Sequence, residues 1–223
     1  TFTANTIQGR QANKQAVSDK FELDGVDGPL FCVVSRLTDQ KGMDLLLQVV
    51  DGLVELGARL VVLGSGEAHL EDGFRHASQR HPGKVGLITG YDEALSHLMQ
   101  GGCDAILIPS RFEPCGLTQL YGLRYGCVPV VSRIGGLADT VIDANPAAIA
   151  AEVATGIVFD PNSAQAVYEA IRKTVRLYGN EKLWKKMQRR GMKSEVSWDA
   201  SALRYADLYA TITGLMTNDD PDH

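Results

Sequence analysis

Six short apolar runs recur along this chain, each followed by a stretch whose apolar residues repeat at helical spacing. The runs are 30–34 (LFCVV), 60–63 (LVVL), 85–88 (VGLI), 105–108 (AILI), 128–131 (VPVV) and 157–159 (IVF). They are rich in β-branched residues and apolar at successive positions. A strand with a core on both faces needs that pattern, because neither face can be polar. Their starts lie about 20–30 residues apart, the length of one strand–helix unit. The pattern predicts an α/β fold: a doubly wound parallel sheet, Rossmann-like, with right-handed crossovers and helices on both faces.

Helices are predicted at 42–56, 67–80, 93–100, 117–125 and 163–177. In the first, Leu45, Leu46, Val49, Leu53 and Leu56 share a face, and Gly57 ends it. His81-Pro82 stops the second. The chain also reads as helical from about Ile7 to Phe21, and after residue 159 no further strand is expected. Two more helices are predicted at 181–191 and 199–212. The last carries Leu203, Tyr205, Ala206, Leu208, Tyr209 and Ile212, with Trp198 before it. That is more apolar surface than one small helix needs. Residues 217–223 (TNDDPDH) are expected to fray.

Composition narrows the function classes. At 223 residues, 44% hydrophobic and 22% charged, this is globular composition, not a disordered or low-complexity chain. No apolar run approaches the ~18 residues of a membrane span. The net charge of −5 argues against nucleic-acid or membrane partners. Any bound anion must therefore meet a local positive site. Cys32, Cys103, Cys115 and Cys127 show neither zinc spacing nor a disulfide framework. Reduced thiols and a cytoplasmic location are the expectation. The five histidines form no metal set, and His69 and His76 read as a solvated helix face without an acidic partner.

In an open α/β sheet, ligands bind beyond the carboxyl ends of the strands. The residues that follow each run are therefore the candidates. Arg36 and Lys41 share the first such loop, as solvated charges or as the cations of an anion site. Lys41 stands where a helix begins, and a cation is unfavourable there unless an anion joins it. Gly64-Ser65-Gly66 is half of a dinucleotide fingerprint, in the wrong loop and without its third glycine. It reads as a tight turn. Tyr91 could stack on a base or simply pack. The stretch 109–119 (PSRFEPCGLTQ) is the most unusual. Pro114 stiffens it, Gly116 admits close backbone approach, and Leu117 and Thr118 open the next helix. Glu113 is either a salt-bridge partner of Arg111 or a group that handles a neutral or cationic part of a substrate.

Four motifs now stand in order: Ser35-Arg36-Leu37-Thr38-x-Gln40-Lys41-Gly42, then Gly90-Tyr91, then 111–119 (RFEPCGLTQ), then Gly135-Gly136-Leu137-x-Asp139-Thr140-Val141. The chain resembles the bacterial glycogen synthases and plant starch synthases over nearly its whole length, from about Asn5 to Ile212. The resemblance implies the C-terminal half of a two-domain B-type glycosyltransferase fold, with residues 1–223 as the nucleotide-sugar-binding domain. The N-terminal half is expected as a partner, with helix 199–212 packed on it. The implied reaction is glucose transfer from ADP-glucose to the non-reducing end of an α-1,4-glucan, with retention, without metal or cofactor. The alternative is a nucleotide-binding module without transferase activity of its own. By resemblance, Arg36 and Lys41 contact the diphosphate, and Glu113 lies beside the donor glucose. Tyr91 stacks on adenine and Gly90 lets the base approach. Leu117 and Thr118 hold phosphate oxygens, and Cys115 and Gly116 are substrate-binding positions of the same motif. Cys115 is not expected to be a nucleophile.

Overall fold

The structure, a computed structural model, describes residues 2–25, 28–160 and 163–214. Six strands form one parallel sheet: β1 (Leu30–Val34), β2 (Arg59–Gly64), β3 (Val85–Thr89), β4 (Ala105–Ile108), β5 (Val128–Ser132) and β6 (Ile157–Phe159). The order is β3-β2-β1-β4-β5-β6. Each strand coincides with one of the six apolar runs, extended by at most a residue at either end. The register sets Phe31 beside Leu60 on one side and beside Ala105 on the other.

The two-sided burial follows from the pleat, since successive side chains point to opposite faces. Phe31, Val33, Leu60, Val62, Leu107 and Val130 enter one core, and Leu30, Cys32, Val61, Leu63, Ile106 and Val131 the other. Fully burying side chains of this size stabilises by about 1.5–3 kcal/mol each before the entropy of ordering them is counted.

The first core is covered by α2 (Met43–Leu47), α3 (Val50–Glu55), α4 (Ala68–Arg80), α9 (Ala164–Tyr178) and α10 (Glu181–Lys193). The second is covered by α1 (Arg10–Lys20), α5 (Glu93–Gly102) and α7 (Gly135–Thr140). The remaining helices of this unit are α6 (Thr118–Tyr125) and α8 (Pro146–Ala150).

Two local expectations need correction. The helix expected over 42–56 is two helices, because Val49 leaves helical dihedrals at φ −116°, ψ 6°. Val49 and Val50 are both buried at that break. Helices α7 and α8 were not expected. They are six and five residues long, too short to show a 3.6-residue period. The local signal for α8 was Asn145-Pro146: the Asn145 side chain caps the Ala148 N–H at 2.9 Å, with proline in the first turn.

All four cysteines are free, and only Cys115 is exposed. Burial pushes the Cys32 thiol well above its ordinary range and raises that of Cys103. No helix among the described residues is long and apolar enough to cross a membrane.

The chain divides into two units, Thr1–Lys193 and Ser194–His223. The second contains α11 (Trp198–Ile212), capped by the Ser197 hydroxyl. Trp198, Leu203, Tyr209 and Ile212 are all exposed along it. Trp198 stacks near Tyr205 at 6.2 Å between ring centroids, and Tyr205 near Tyr209 at 6.3 Å. The expected fraying of 217–223 lies outside the described residues.

Candidate functional site

The sheet order reverses between β1 and β4: from β1 the chain runs outward to β2 and β3, then returns to β4 on the other side. Loops leaving β1 and β4 therefore diverge to opposite faces and open a crevice at their carboxyl ends. Lys41 comes from the first of these loops and Glu113 from the second.

They meet in that crevice. The Lys41 Nζ lies 2.5 Å from Glu113 Oε2, and both side chains are more than four-fifths buried. Ser110, in the loop two residues past β4, donates its hydroxyl to the same carboxylate oxygen at 3.2 Å. Lys41, Glu113, Ser110 and Thr118 line a small pocket of about 50 Å³ above Val34 and Ser35.

Val34 and Ser35 also border a second, larger cleft of about 260 Å³. Arg36, Leu63, Gly64, Ser65, Gly90 and Tyr91 complete its walls. The Arg36 side chain is exposed and has no ion-pair partner among the described residues. Tyr91 is 85% exposed, so it is not a packing residue. Gly90 adopts φ +120°, where only glycine is at ease, and a Cβ there would meet nothing within 4 Å. Glycine is required by the backbone, and the space beside it stays open.

The two pockets run side by side across the end of β1. One offers an exposed ring and a free guanidinium, the other an ammonium, a carboxylate and the hydroxyl-bearing Ser35, Ser110 and Thr118. A larger cavity of about 520 Å³ lies between β6 and α9, but none of the candidate residues lines it. Chemistry, not size, therefore favours the crevice.

Not every candidate converges. Thr118 begins α6 inside the pocket, whereas Leu117 is 60% exposed and Cys115 is exposed. Cys115, Gly116 and Leu117 line neither pocket. Their loop is fastened from below. The fully buried Gln119 donates through Nε2 to the carbonyls of Cys115 and Gly116 at 3.1 and 2.9 Å, and Gly136 donates to the Pro114 carbonyl at 3.0 Å.

Three expectations change. Glu113 does not pair with Arg111, because Arg111 turns to the neighbouring loop and grips Asp44, leaving Glu113 to Lys41. Lys41 does not open a full α-helix: it closes a 3₁₀ turn, Asp39–Lys41, and Gly42 separates it from α2. His69 has acidic neighbours after all. The fold brings Asp39 and Glu67 to it, with ligand atoms within 4.8 Å of one another, all exposed. Glu67 is two residues from His69 in the sequence; Asp39, 30 residues away, is the member that only the fold brings in.

The segment Gly64-Ser65-Gly66 is a structural joint. Leu37 donates to the Ser65 carbonyl at 2.9 Å, and Glu67 donates to the Leu37 carbonyl at 2.8 Å. These bonds tie the loop after β2 to the loop that carries Arg36 and Lys41. Asp44 and Ser110 are the contributors that sequence reasoning missed. The available signal for Asp44 was an acid in the first turn of a helix, three residues after Lys41.

Comparison with known proteins identifies the family. Residues 15–193 match the family model for glycosyl transferases group 1. The chain is 60% identical to a glycogen synthase of Mesorhizobium japonicum over 93% of its own length and 43% of that protein. It is 58% identical to a glycogen synthase of Rhizobium leguminosarum bv. trifolii, over 95% of its own length and 44% of that one. Among solved structures it resembles the catalytic domain of starch synthase IV from Arabidopsis thaliana, bound to ADP and acarbose. That match has a TM-score of 0.86 at 33% identity and covers 95% of this chain and 44% of that one. The chain thus spans less than half the length of these relatives, and its doubly wound sheet is that of a B-type glycosyltransferase. It belongs to the glycosyl transferases group 1 family.

Proposed function

We propose that this chain is the nucleotide-sugar-binding domain of a retaining glucosyltransferase that moves glucose from ADP-glucose to the non-reducing end of an α-1,4-glucan. The observation that carries the reading is the chemistry of the two adjoining pockets. The cleft that holds the exposed Tyr91 ring and the Arg36 guanidinium adjoins, across Val34 and Ser35, the pocket that holds the Lys41 ammonium and the Glu113 carboxylate. A nucleotide sugar presents the matching base, diphosphate and sugar. The glycogen synthase relatives and the ADP-bound starch synthase support the choice of donor and acceptor.

The residues divide the work by charge. Tyr91 stacks on the base, with Gly90 leaving room beside it. Arg36 and Lys41 hold the diphosphate and stabilise the negative charge that builds as the glucosyl bond to it breaks. Preorganised cations act most strongly where that charge develops. Thr118, at the start of α6, offers its hydroxyl and backbone N–H to phosphate oxygens. Glu113 accepts hydrogen bonds from hydroxyls of the donor glucose. For this, Lys41 exchanges its carboxylate partner for phosphate, which frees Glu113 to face the sugar.

The acceptor belongs to the other side of the cleft. The relatives are about twice as long, and the crevice here is one wall. We place the α-1,4-glucan and a second domain opposite it, with the unburied apolar face of α11 packing on that domain. The test uses the complete enzyme. Arg36→Ala and Lys41→Ala should each lower glucose transfer from ADP-glucose to glycogen by about 10²–10³-fold, the usual cost of removing one charge-stabilising group. Normal transfer by both variants would refute the assignment. The chain by itself should bind ADP without transferring glucose, because acceptor and donor must be held in register.

A further inference from the structure

The crevice is held together by residues that touch neither pocket. Arg111 leaves the loop after β4, two residues before Glu113. Its guanidinium reaches across to the first turn of α2, where Nη1 and Nη2 bond Asp44 Oδ1 and Oδ2 at 2.5 and 2.8 Å. Nη1 also donates to the Asp39 carbonyl, at 2.5 Å. The Arg111 backbone N–H donates to the Gln40 carbonyl at 2.9 Å. Two residues earlier, the backbone of Pro109 lies against Gly42 so closely that a Cβ on Gly42 would sit 1.9 Å from the Pro109 oxygen. The residues bonded to Arg111, namely Asp39, Gln40 and Asp44, bracket Lys41, and Gly42 packs on Pro109 between them. Arg111 itself stands two residues before Glu113.

A forked arginine on a carboxylate fixes direction as well as distance, which a lysine cannot do. Both partners are about seven-tenths buried, and neither belongs to a hydrophobic core cluster. What they align is Lys41 against Glu113.

We propose that Arg111 and Asp44 are positioning residues, a clamp that sets the loop after β1 against the loop after β4 so that Lys41 and Glu113 address the phosphate and sugar of one ligand. The proposal rests on the nucleotide-sugar reading above. It makes coupling between Lys41 and Glu113 a property of the clamp.

The experiment is a double-mutant cycle on this chain, read by calorimetric titration with ADP. In the parent, Glu113→Gln removes the carboxylate that competes for Lys41, and ADP should bind roughly tenfold tighter, the scale of one charge-assisted hydrogen bond. In an Arg111→Lys background, which keeps the charge and loses the fork, the same change should alter ADP affinity by less than about twofold. Asp44→Asn should give the same result as Arg111→Lys and replaces it if that variant does not melt cooperatively. A merely structural role would lower the melting temperature and leave the tenfold effect of Glu113→Gln intact in both backgrounds. That outcome would overturn the clamp. Failure of the parent chain to bind ADP at all would instead overturn the nucleotide reading, and the clamp with it.

Discussion

Lys41 and Glu113 form an ion pair at 2.5 Å across the switch point of the sheet, so the cation suited to phosphate is already occupied. Such a pair, mostly shielded from water, holds more strongly than an exposed one. It gives Glu113→Gln two opposite effects. Turnover of the complete enzyme should fall, because the carboxylate proposed to bind the sugar hydroxyls is gone. ADP affinity should rise, because Lys41 no longer has a competing partner. Parallel steady-state kinetics and ADP titration would check this, and a fall in ADP affinity matching that in turnover would count against the competition.

The Arg111–Asp44 clamp has a pH signature. The hydrogen bonds from Arg111 hold the Asp44 carboxyl below its ordinary range, outweighing the opposing effect of partial burial. A carboxyl with a depressed folded value contributes stability that is present above its unfolded value, about pH 4, and is lost as pH falls through the folded one. Thermal melts from pH 7 to pH 3 should therefore show Asp44→Asn less stable than the parent at neutral pH. The gap should narrow below about pH 4. A gap of constant size across that range would show that the carboxylate charge contributes nothing.

Gly42 makes the sharpest demand on sequence. It sits at φ +69° with its Cα against the Pro109 carbonyl. Gly42→Ala combines a left-handed backbone, which costs an L-residue about 1–2 kcal/mol, with a collision against backbone that cannot swing aside. The variant should lose at least that much stability in chemical denaturation, and ADP affinity should drop with it because Lys41 is the adjacent residue. An unchanged denaturation midpoint would mean that the two loops separate freely.

Much of this was legible in the sequence, for identifiable reasons. The strands were visible because both faces of each are buried, and burial on two sides leaves an uninterrupted apolar run. The crevice was locatable because ligands gather at the carboxyl ends of such strands, and the loops that follow them carry Arg36, Lys41, Tyr91 and Glu113, which line it. The partners were not visible. Arg111 and Glu113 are two residues apart, and proximity in sequence suggested that they pair. The chain instead turns between them, so one side chain meets Asp44 and the other Lys41, each about 70 residues away. Short helices such as α7 and α8 left no periodic signal, and the break at Val49 is set by packing that no single-segment pattern encodes.

Every role proposed for these residues depends on the crevice accepting a nucleoside diphosphate. Calorimetric titration of ADP into this chain, its Tyr91→Ala variant and its Lys41→Ala variant tests that most directly. ADP should bind to the parent. Tyr91→Ala should weaken binding by about 1–3 kcal/mol, the scale of stacking a base on an aromatic ring. Lys41→Ala should weaken it as well. Absence of binding to the parent, or equal affinity in all three proteins, would show that the crevice is not a nucleotide site.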